Sequence, residues 1–175
     1  MKRLTIYLSL SIVFAGLVTV STMIIRIPVA ATGGYINIGD AMIFICALTF
    51  GSFIGGLAGG IGSAIADMIG YPIFAPFTLV IKGLEGFLTG FIKDGKSFKK
   101  DLLAWGIGAL TMVVGYFIAE SYIMKIGIAA ALAEVPGNLF QVFFGGLIGI
   151  PATRILRRRL TVISALKPFL EKPSS

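Results

Sequence analysis

The segment GSFIGGLAGGIGSAIAD, Gly51–Asp67, decides the fold class of this chain. Its single charge is the last residue, and an apolar segment of this kind suits the hydrocarbon core of a bilayer, which takes roughly 20 residues to cross (range about 17–25). Gly51, Gly55 and Gly59 recur at every fourth position, and small residues at that spacing let membrane helices approach closely. We therefore predict a membrane-spanning helix at 52–69 whose glycine face packs inside a helix bundle.

The composition of the whole chain agrees with a membrane protein. Of the 175 residues, 57% are hydrophobic and 13% are charged, whereas a soluble domain averages about 45–50% apolar and about 25% charged residues. The mean hydropathy is +0.96. The sequence has one cysteine, Cys46, and no histidine, which excludes a disulfide framework and a histidine-based metal site. We expect a single membrane domain, 1–175, without a metal.

Hydrophobic segments on both sides of the quoted stretch predict six transmembrane helices. The predicted helices are 4–25, 39–50, 52–69, 77–92, 102–123 and 136–160. The first apolar run exceeds the 7–15 residues of a signal-peptide core, so we interpret it as a helix that stays in the membrane. The segment RIPVAATGGYINIGD at 26–40 is rich in Gly and Pro, which predicts a loop.

The distribution of basic residues predicts the orientation of these helices. Lys and Arg concentrate at the N-terminus, between the fourth and fifth helices and at the C-terminal end, including Lys167 and Lys172. Six spans place these three regions on one side of the membrane and leave only Arg26 and Lys125 on the other. Because basic loops favour the cytoplasm, both termini are expected there. Topology and anionic lipid then explain the net charge of +7, and no nucleic acid is expected.

The stretch GFIKDGKS, Gly90–Ser97, matches the phosphate-binding pattern G-x-x-x-x-G-K-[ST]. That pattern binds nucleotide only where a buried strand leads into it and a helix follows it. Here a predicted membrane helix precedes it, so we interpret the stretch as a basic cytoplasmic loop. The chain itself is not expected to hydrolyse ATP or to be an enzyme.

Polar side chains gather in the outer half of the predicted bundle, whereas the inner half is almost wholly apolar until the cytoplasmic Lys and Arg residues. Ionisable residues at membrane depth are costly and indicate function. Because a channel would need polar residues through the full depth, the asymmetry predicts a pocket that captures a small polar or aromatic solute from outside. The candidate binding residues are Tyr35, Asp40, Lys82, Glu85, Tyr116, Glu120, Asn138 and Gln141.

Structural roles compete with binding at several of these positions. Lys82 and Glu85 are three residues apart and can neutralise each other, since buried charges usually pair. Asp40 can cap the second helix, and Asn138 can cap the sixth, just after Pro136. The residues alone leave both interpretations open.

Small residues also form a stripe on the first helix. Ser11, Ala15 and Thr19 are spaced by four, a pattern that favours close helix contact. A six-helix bundle of this size can leave that face free, so we expect it to meet an external partner.

Four motifs together resemble the substrate-binding S components of energy-coupling factor (ECF) vitamin transporters. They are YINIGDA at 35–41, GSAIAD at 62–67, YPIFAPFTLVIKG at 71–83 and PGNLFQ at 136–141, and the resemblance extends from 4 to about 160. It implies a six-helix, cofactor-free binding subunit in a prokaryotic cell membrane, with substrate held near the outer face. It also implies a transmembrane coupling protein and two ATPase subunits as partners. The family's A-x-x-x-A docking pattern corresponds here to Ser11-x-x-x-Ala15 or Ala15-x-x-x-Thr19.

The resemblance favours riboflavin as the vitamin. Many riboflavin binders carry Asn-x-x-Lys early in the sixth helix, whereas this chain carries Asn138-x-x-Gln141, and Lys82 is a candidate for the missing cation. Hydroxymethylpyrimidine, pyridoxine and a queuosine precursor therefore stay open as substrates. An autonomous secondary transporter is the alternative outside this family, and the absence of inverted repeats speaks against it.

Overall fold

The computed structural model describes residues 2–163 and residue 166, which form six α-helices and a short hairpin. The helices are α1 (Lys2–Ile24), α2 (Gly39–Phe50), α3 (Ser52–Gly70), α4 (Ala75–Ile92), α5 (Phe98–Ile118) and α6 (Ile128–Leu160). Within the described range, five helices are long and apolar enough to cross a membrane: Leu4–Ile24, Ser52–Gly70, Ala75–Ile92, Phe98–Ile123 and Ile128–Leu160. This confirms the predicted all-α membrane bundle. The basic residues Lys167 and Lys172, used in the topology prediction, lie outside the described residues.

The remaining helix, α2, is short and lies in the middle of the bundle. Its 12 residues span only about 18 Å at 1.5 Å per residue, less than the hydrocarbon thickness of about 30 Å. All but two of these residues are buried, because α1, α3, α4 and α6 surround the helix. It ends at Gly51, whose φ of 97° lies in the region that favours glycine. The chain therefore turns sharply there into α3.

The glycine stripe of α3 packs this helix against its neighbours. A Cβ added to Gly55 would lie 2.6 Å from the Cβ of Ala47 on α2, and one on Gly59 would lie 2.6 Å from the carbonyl oxygen of Lys82 on α4. Glycine therefore permits the close contact of α3 with α4 that the spacing predicts. This contact brings the backbone of Lys82 against α3.

The predicted loop at 26–40 is wrong in part, because it contains a β-hairpin. Strands β1 (Arg26–Val29) and β2 (Gly34–Asn37) pair antiparallel, with Arg26 opposite Asn37 and Val29 opposite Gly34. The β-branched and aromatic residues between the glycines favour strands, and Pro28 is tolerated because a two-stranded ribbon has only edge strands. We call the bundle end that carries this ribbon the hairpin end, and the opposite one the basic end.

The last helix begins eight residues earlier than predicted, at Ile128 rather than at 136. Pro136 therefore lies inside α6, where it removes one backbone hydrogen bond, a loss that membrane helices tolerate. The predicted fifth helix also differs, since α5 begins at Phe98 and ends in a π-helical turn, Ala119–Ile123. Such turns are rare and often occur at functional sites.

Candidate functional site

A small polar pocket lies at the hairpin end, between β2 and the helices. Its water-accessible volume is about 20 Å³, close to the space that one water molecule occupies. The lining is dominated by hydroxyl, amide and carboxyl groups. It comprises Thr22, Gly34, Tyr35, Asn37, Ser63, Asp67, Phe74, Thr78, Lys82, Met112, Tyr116, Glu134, Asn138 and Gln141.

A buried charge cluster forms the floor of the pocket. The ammonium of Lys82 on α4 donates to the carboxylate of Asp40 on α2, and its Nζ lies 3.1 Å from Oε2 of Glu85, three residues further along α4. The side chains are at most 3% exposed. Two carboxylates share one ammonium in this network, so removing Lys82 leaves both without their cation.

The first part of α6 connects this cluster to the hairpin. Nε2 of Gln141 donates to Oδ2 of Asp40 at 3.0 Å, and Oε1 of the same amide accepts from the backbone N–H of Asn37 at 2.7 Å. Asn138, one turn earlier, is buried and lines the pocket. Among the described residues, none makes a hydrogen bond to the amide of Asn138, which leaves that amide available to a ligand.

The tyrosines of the pocket are held by hydroxyl and carboxyl groups. The hydroxyls of Tyr116 and Thr78 lie 2.8 Å apart, and Lys82 Nζ lies 5.8 Å from the centre of the Tyr116 ring. Tyr35 donates its hydroxyl proton to Asp67. Burial, together with this hydrogen bond and the Asp67 charge, raises the pKa of Tyr35 far above its usual range. Tyr35 therefore acts as a hydrogen-bond donor at physiological pH.

Side chains also fasten the hairpin over the pocket. Arg26 donates to the carbonyl oxygen of Ala66 at 2.6 Å, and its guanidinium lies 4.9 Å above the Tyr35 ring. The Tyr35 and Tyr71 rings have centroids 4.3 Å apart, and Thr32 donates to Glu134 on α6. The hairpin is thus tied to α3, to the α3–α4 connection and to α6, and it closes the pocket.

The eight predicted binding residues divide into three groups in the structure. Five line the pocket: Tyr35, Lys82, Tyr116, Asn138 and Gln141. Asp40 and Glu85 lie behind the lining and contact Lys82. Glu120 lies in the π-helical turn, outside the lining, fully buried and with neither carboxylate oxygen hydrogen-bonded within the described part of the chain.

The competing structural roles have mixed outcomes. The Lys82–Glu85 pair exists, as the spacing of three suggests. The capping roles are wrong, because Asp40 contacts Lys82 and Gln141, and the N–H of Gly39 at the start of α2 donates to the Asn37 side chain instead. Asn138 lies ten residues inside α6 and caps nothing.

Glu134 is the pocket residue that the sequence analysis missed. It was overlooked because the sixth helix was predicted to start after it. With α6 extended to Ile128, Glu134, Asn138 and Gln141 are spaced by four and three, which puts them on one helical face. That periodicity is the signal that identifies Glu134. Asp67, Thr22, Ser63 and Thr78 were also absent from the predicted set.

The Lys and Arg residues expected at the cytoplasmic boundary include two, Lys93 and Arg157, that are buried in the structure. At the basic end, Arg157 on α6 donates to Asp101 on α5 at 2.7 Å and also to the carbonyl oxygen of Leu48 at the end of α2. Lys93 donates to the carbonyl oxygen of Thr49 at 2.5 Å, and burial, with the nearby Arg157 charge, lowers the pKa of Lys93 to about 7. These cations bind the last carbonyls of α2, where the helix dipole is negative, and close this end.

The P-loop-like stretch forms a turn that is already occupied by its own carboxylate. Asp94 accepts hydrogen bonds from the backbone N–H groups of Lys96 at 3.0 Å and Ser97 at 2.8 Å. These bonds, first of all the one from Ser97, lower the pKa of Asp94 to about 2. Backbone N–H groups are what a phosphate loop offers to nucleotide, and here an Asp side chain binds them.

The small-residue stripe of α1 lies in a shallow groove against α3. Ala15 is buried, and Thr19 donates to the carbonyl oxygens of both Ala15 and Gly62, at 2.9 and 2.7 Å. The stripe therefore contacts α3, whereas the sequence predicted a face without contacts inside the bundle. The groove is lined by Leu8, Ser11, Ile12, Ala15, Gly16, Thr19, Val20, Leu57, Ile61 and Ile65.

Comparison with known proteins gives the family. The family model for the ECF-type riboflavin transporter S component matches residues 6–158. A protein of Pyrococcus woesei, described as "Uncharacterized protein in gap 3'region", is 44% identical over 144 residues, which cover 82% of this chain and 96% of that protein. The family is a substrate-binding component of transporters, which is not a class of enzymes. The chain is thus a multi-pass membrane protein that belongs to the ECF-type riboflavin transporter S component family.

Proposed function

We propose that the chain is the riboflavin-binding subunit of an ATP-driven ECF importer in a prokaryotic cell membrane. The hairpin end faces outward and captures the vitamin, and both termini are cytoplasmic. A transmembrane coupling protein and two ATPase subunits complete the importer and supply the energy. The basic end, with exposed Lys99, Lys100 and Arg158, suits the cytoplasmic side.

One observation carries the proposal: the Asn138 amide lines the pocket next to a buried charge cluster, beneath the hairpin. The Asn138 amide offers both donors and an acceptor, which match the alternating N–H and C=O groups of the flavin pyrimidine ring. Lys82 and Gln141 both donate hydrogen bonds to the carboxylate of Asp40. Lys82 can therefore supply the cation that many riboflavin binders carry at the position of Gln141.

The remaining lining suits the ribityl chain of the vitamin. Thr78 and Tyr116 present hydroxyl groups that bond to each other at 2.8 Å, and Ser63 adds a third, buried one. Hydroxyls both donate and accept, so they can exchange their mutual bonds for bonds to a polyol. Phe74 and Met112 provide apolar surface beside them.

Binding requires the hairpin to move. A pocket of about 20 Å³ holds about one water molecule rather than a three-ring ligand. The hydrogen bonds that hold the hairpin down are few: Tyr35 to Asp67, Thr32 to Glu134, the Asn37 N–H to Gln141, and Arg26 to the Ala66 carbonyl. Since the intramolecular bonds are exchanged for bonds to ligand or water, the net cost is modest. The hairpin acts as the lid of the site.

The groove between α1 and α3 is the proposed docking face for the coupling protein. Ser11, Ala15 and Thr19 form its floor, and exposed aliphatic residues border it. A Cβ added to Gly16 would meet nothing within 4 Å, so this position lies open to a partner helix. Small residues let such a helix approach closely.

The experiment that tests the substrate is an absorption spectrum of the protein purified in detergent, followed by titration with vitamins. We expect flavin bands from retained riboflavin and, after its removal, tight rebinding. Pyridoxine, hydroxymethylpyrimidine and a queuosine precursor serve as competitors. Displacement of riboflavin by none of them supports the proposal, whereas tight binding of one of them without riboflavin binding overturns it. Uptake into liposomes by this chain alone, without ATPase partners, would instead indicate an autonomous transporter.

A further inference from the structure

Glu134 contributes a carboxylate to the roof of the pocket, and it forms no ion pair with any described Lys or Arg residue. It is 4% exposed and accepts a hydrogen bond from Thr32 in the hairpin turn. A Cβ on Gly34 would lie 3.2 Å from its Oε1, so the carboxylate lies directly against the hairpin backbone. The position gives Glu134 contact both with the lid and with the pocket beneath it.

Acidic side chains outnumber basic ones around the pocket in the part of the chain that the structure describes. Five carboxyl groups lie in or beside it: Asp40, Asp67, Glu85, Glu120 and Glu134. Lys82 pairs with Asp40 and Glu85. Among the residues that the structure describes, no Lys or Arg nitrogen lies within 4.0 Å of a carboxylate oxygen of Asp67, Glu120 or Glu134. Two further cations lie at this end: Arg26 donates to a backbone carbonyl, and Lys125 lies in the connection between α5 and α6.

An unpartnered hydroxyl inside the pocket indicates that a ligand completes it. Oγ1 of Thr22 on α1 is buried, lines the pocket and has no hydrogen-bond partner within the described residues. Buried polar atoms of native proteins rarely lack a partner. Together with the Asn138 amide, this hydroxyl gives the pocket groups that await a hydrogen-bonding ligand. The carboxylates of Asp67 and Glu134 accept further donors.

We propose that Glu134 makes the site select uncharged ligands rich in hydrogen-bond donors and reject their phosphate esters. This inference rests on the proposed riboflavin function and deepens it. Glu134 lines the same small pocket as Thr78 and Tyr116, so ribityl hydroxyls bound there can also donate to its carboxylate, whereas a terminal phosphate would bring two negative charges next to it. Specificity then comes from a repulsive element as much as from attraction. The importer accordingly takes the free vitamin and excludes riboflavin 5′-phosphate.

The test compares riboflavin with riboflavin 5′-phosphate by flavin fluorescence on the full chain purified in detergent and stripped of ligand. We expect wild-type protein to bind riboflavin at least about 100-fold more tightly, since like charges in a partly dry site repel strongly. Glu134→Gln keeps an acceptor for Thr32 and should reduce that ratio about tenfold or more, through tighter binding of the phosphate ester. Asp94→Asn removes the same charge at the basic end and should leave the ratio unchanged.

Three results would overturn the inference. Equal affinity of the wild type for both flavins contradicts it directly, and this measurement does not depend on any variant folding. A Glu134→Gln protein that binds riboflavin but keeps the wild-type ratio shows that another group sets the selectivity. Wild-type protein that binds neither flavin refutes the proposed riboflavin function, and with it the selectivity that rests on it.

Discussion

The side-chain amide of Gln141 joins the hairpin to the charged floor of the site: its Oε1 accepts the backbone N–H of Asn37 at 2.7 Å, while its Nε2 donates to Asp40 at 3.0 Å. One side chain thus contacts both the lid and the carboxylate of Asp40, which pairs with Lys82. A ligand that bonds to Gln141 must compete with one of these bonds. Capture of the ligand and movement of the lid are coupled through this residue.

Replacing Gln141 by leucine should therefore loosen the lid. The variant loses two buried hydrogen bonds and leaves the Asp40 oxygen without its amide donor, at a cost of about 1–3 kcal/mol for such a group. We expect faster amide hydrogen exchange across 26–37 and weaker ligand binding. Hydrogen–deuterium exchange with mass spectrometry measures the first effect. Thr111→Val on α5, where the hydroxyl only bonds within its own helix, is the control, and equal exchange in both variants would contradict the coupling.

Lys82 should be essential for the stability of the bundle. Lys82→Met leaves Asp40 and Glu85 facing each other without their shared cation, and breaking a buried pair of this kind costs about 3–5 kcal/mol. Thermal unfolding in detergent measures the loss. The matched control is Lys99→Met, an exposed lysine at the basic end. Adding Asp40→Asn and Glu85→Gln to Lys82→Met should restore much of the stability, and no recovery would argue against a charge effect.

The basic end should make stability depend on pH through Lys93. Its pKa in the folded protein is lowered to about 7, mainly by burial, from an unfolded value near 10.4. Above pH 7 the unfolded state therefore binds more protons at this group than the folded state, so stability rises with pH. We expect the melting temperature to increase between about pH 7 and 9, and Lys93→Met to flatten this increase. A variant with the same slope as the wild type would show that Lys93 is not responsible.

Partner docking can be separated from ligand binding with two open glycines. Gly16→Leu adds an apolar side chain to the α1–α3 groove at a position where an added Cβ meets nothing within 4 Å. It should leave riboflavin affinity unchanged and reduce uptake by the assembled importer about tenfold or more, because close helix approach is lost. Gly106→Leu on α5 is equally open and serves as the control. If both variants transport normally, the groove is not the docking face.

Local pattern predicted much of the fold but less of the site. The length of the apolar segments was sufficient to predict the membrane-spanning helices. The boundaries of α2 agree with those predicted because Gly51 interrupts the helix at a definite residue. The start of α6 was missed because Pro136 and Gly137 resemble a helix beginning, and only packing against the hairpin shows that the helix continues through them. Because the predicted helix began after Glu134, this residue was not predicted as part of the site. The Lys82–Glu85 pair followed from spacing, whereas its contact with Asp40 joins residues 42 positions apart and needs the three-dimensional structure.

The buried charged residues at the basic end illustrate the same limit of prediction from sequence. Basic residues near a membrane boundary usually serve topology, and Lys93 and Arg157 have the positions expected for that. In the structure they are buried and bind the carbonyls of Thr49 and Leu48. Charge counting cannot distinguish a solvated arginine from a buried one, because both have the same place in the sequence.

Riboflavin titration of the wild type and of Asn138→Leu tests the central claim most directly. The substitution keeps the number and branching of the side-chain heavy atoms and breaks no hydrogen bond within the described residues, so the fold should persist while the pocket loses its amide. The account predicts tight quenching of flavin fluorescence by the wild type and a loss of affinity of about tenfold or more in the variant, as expected for one or two buried hydrogen bonds. Riboflavin binding of equal strength by both proteins would contradict the assignment of this pocket as the vitamin site.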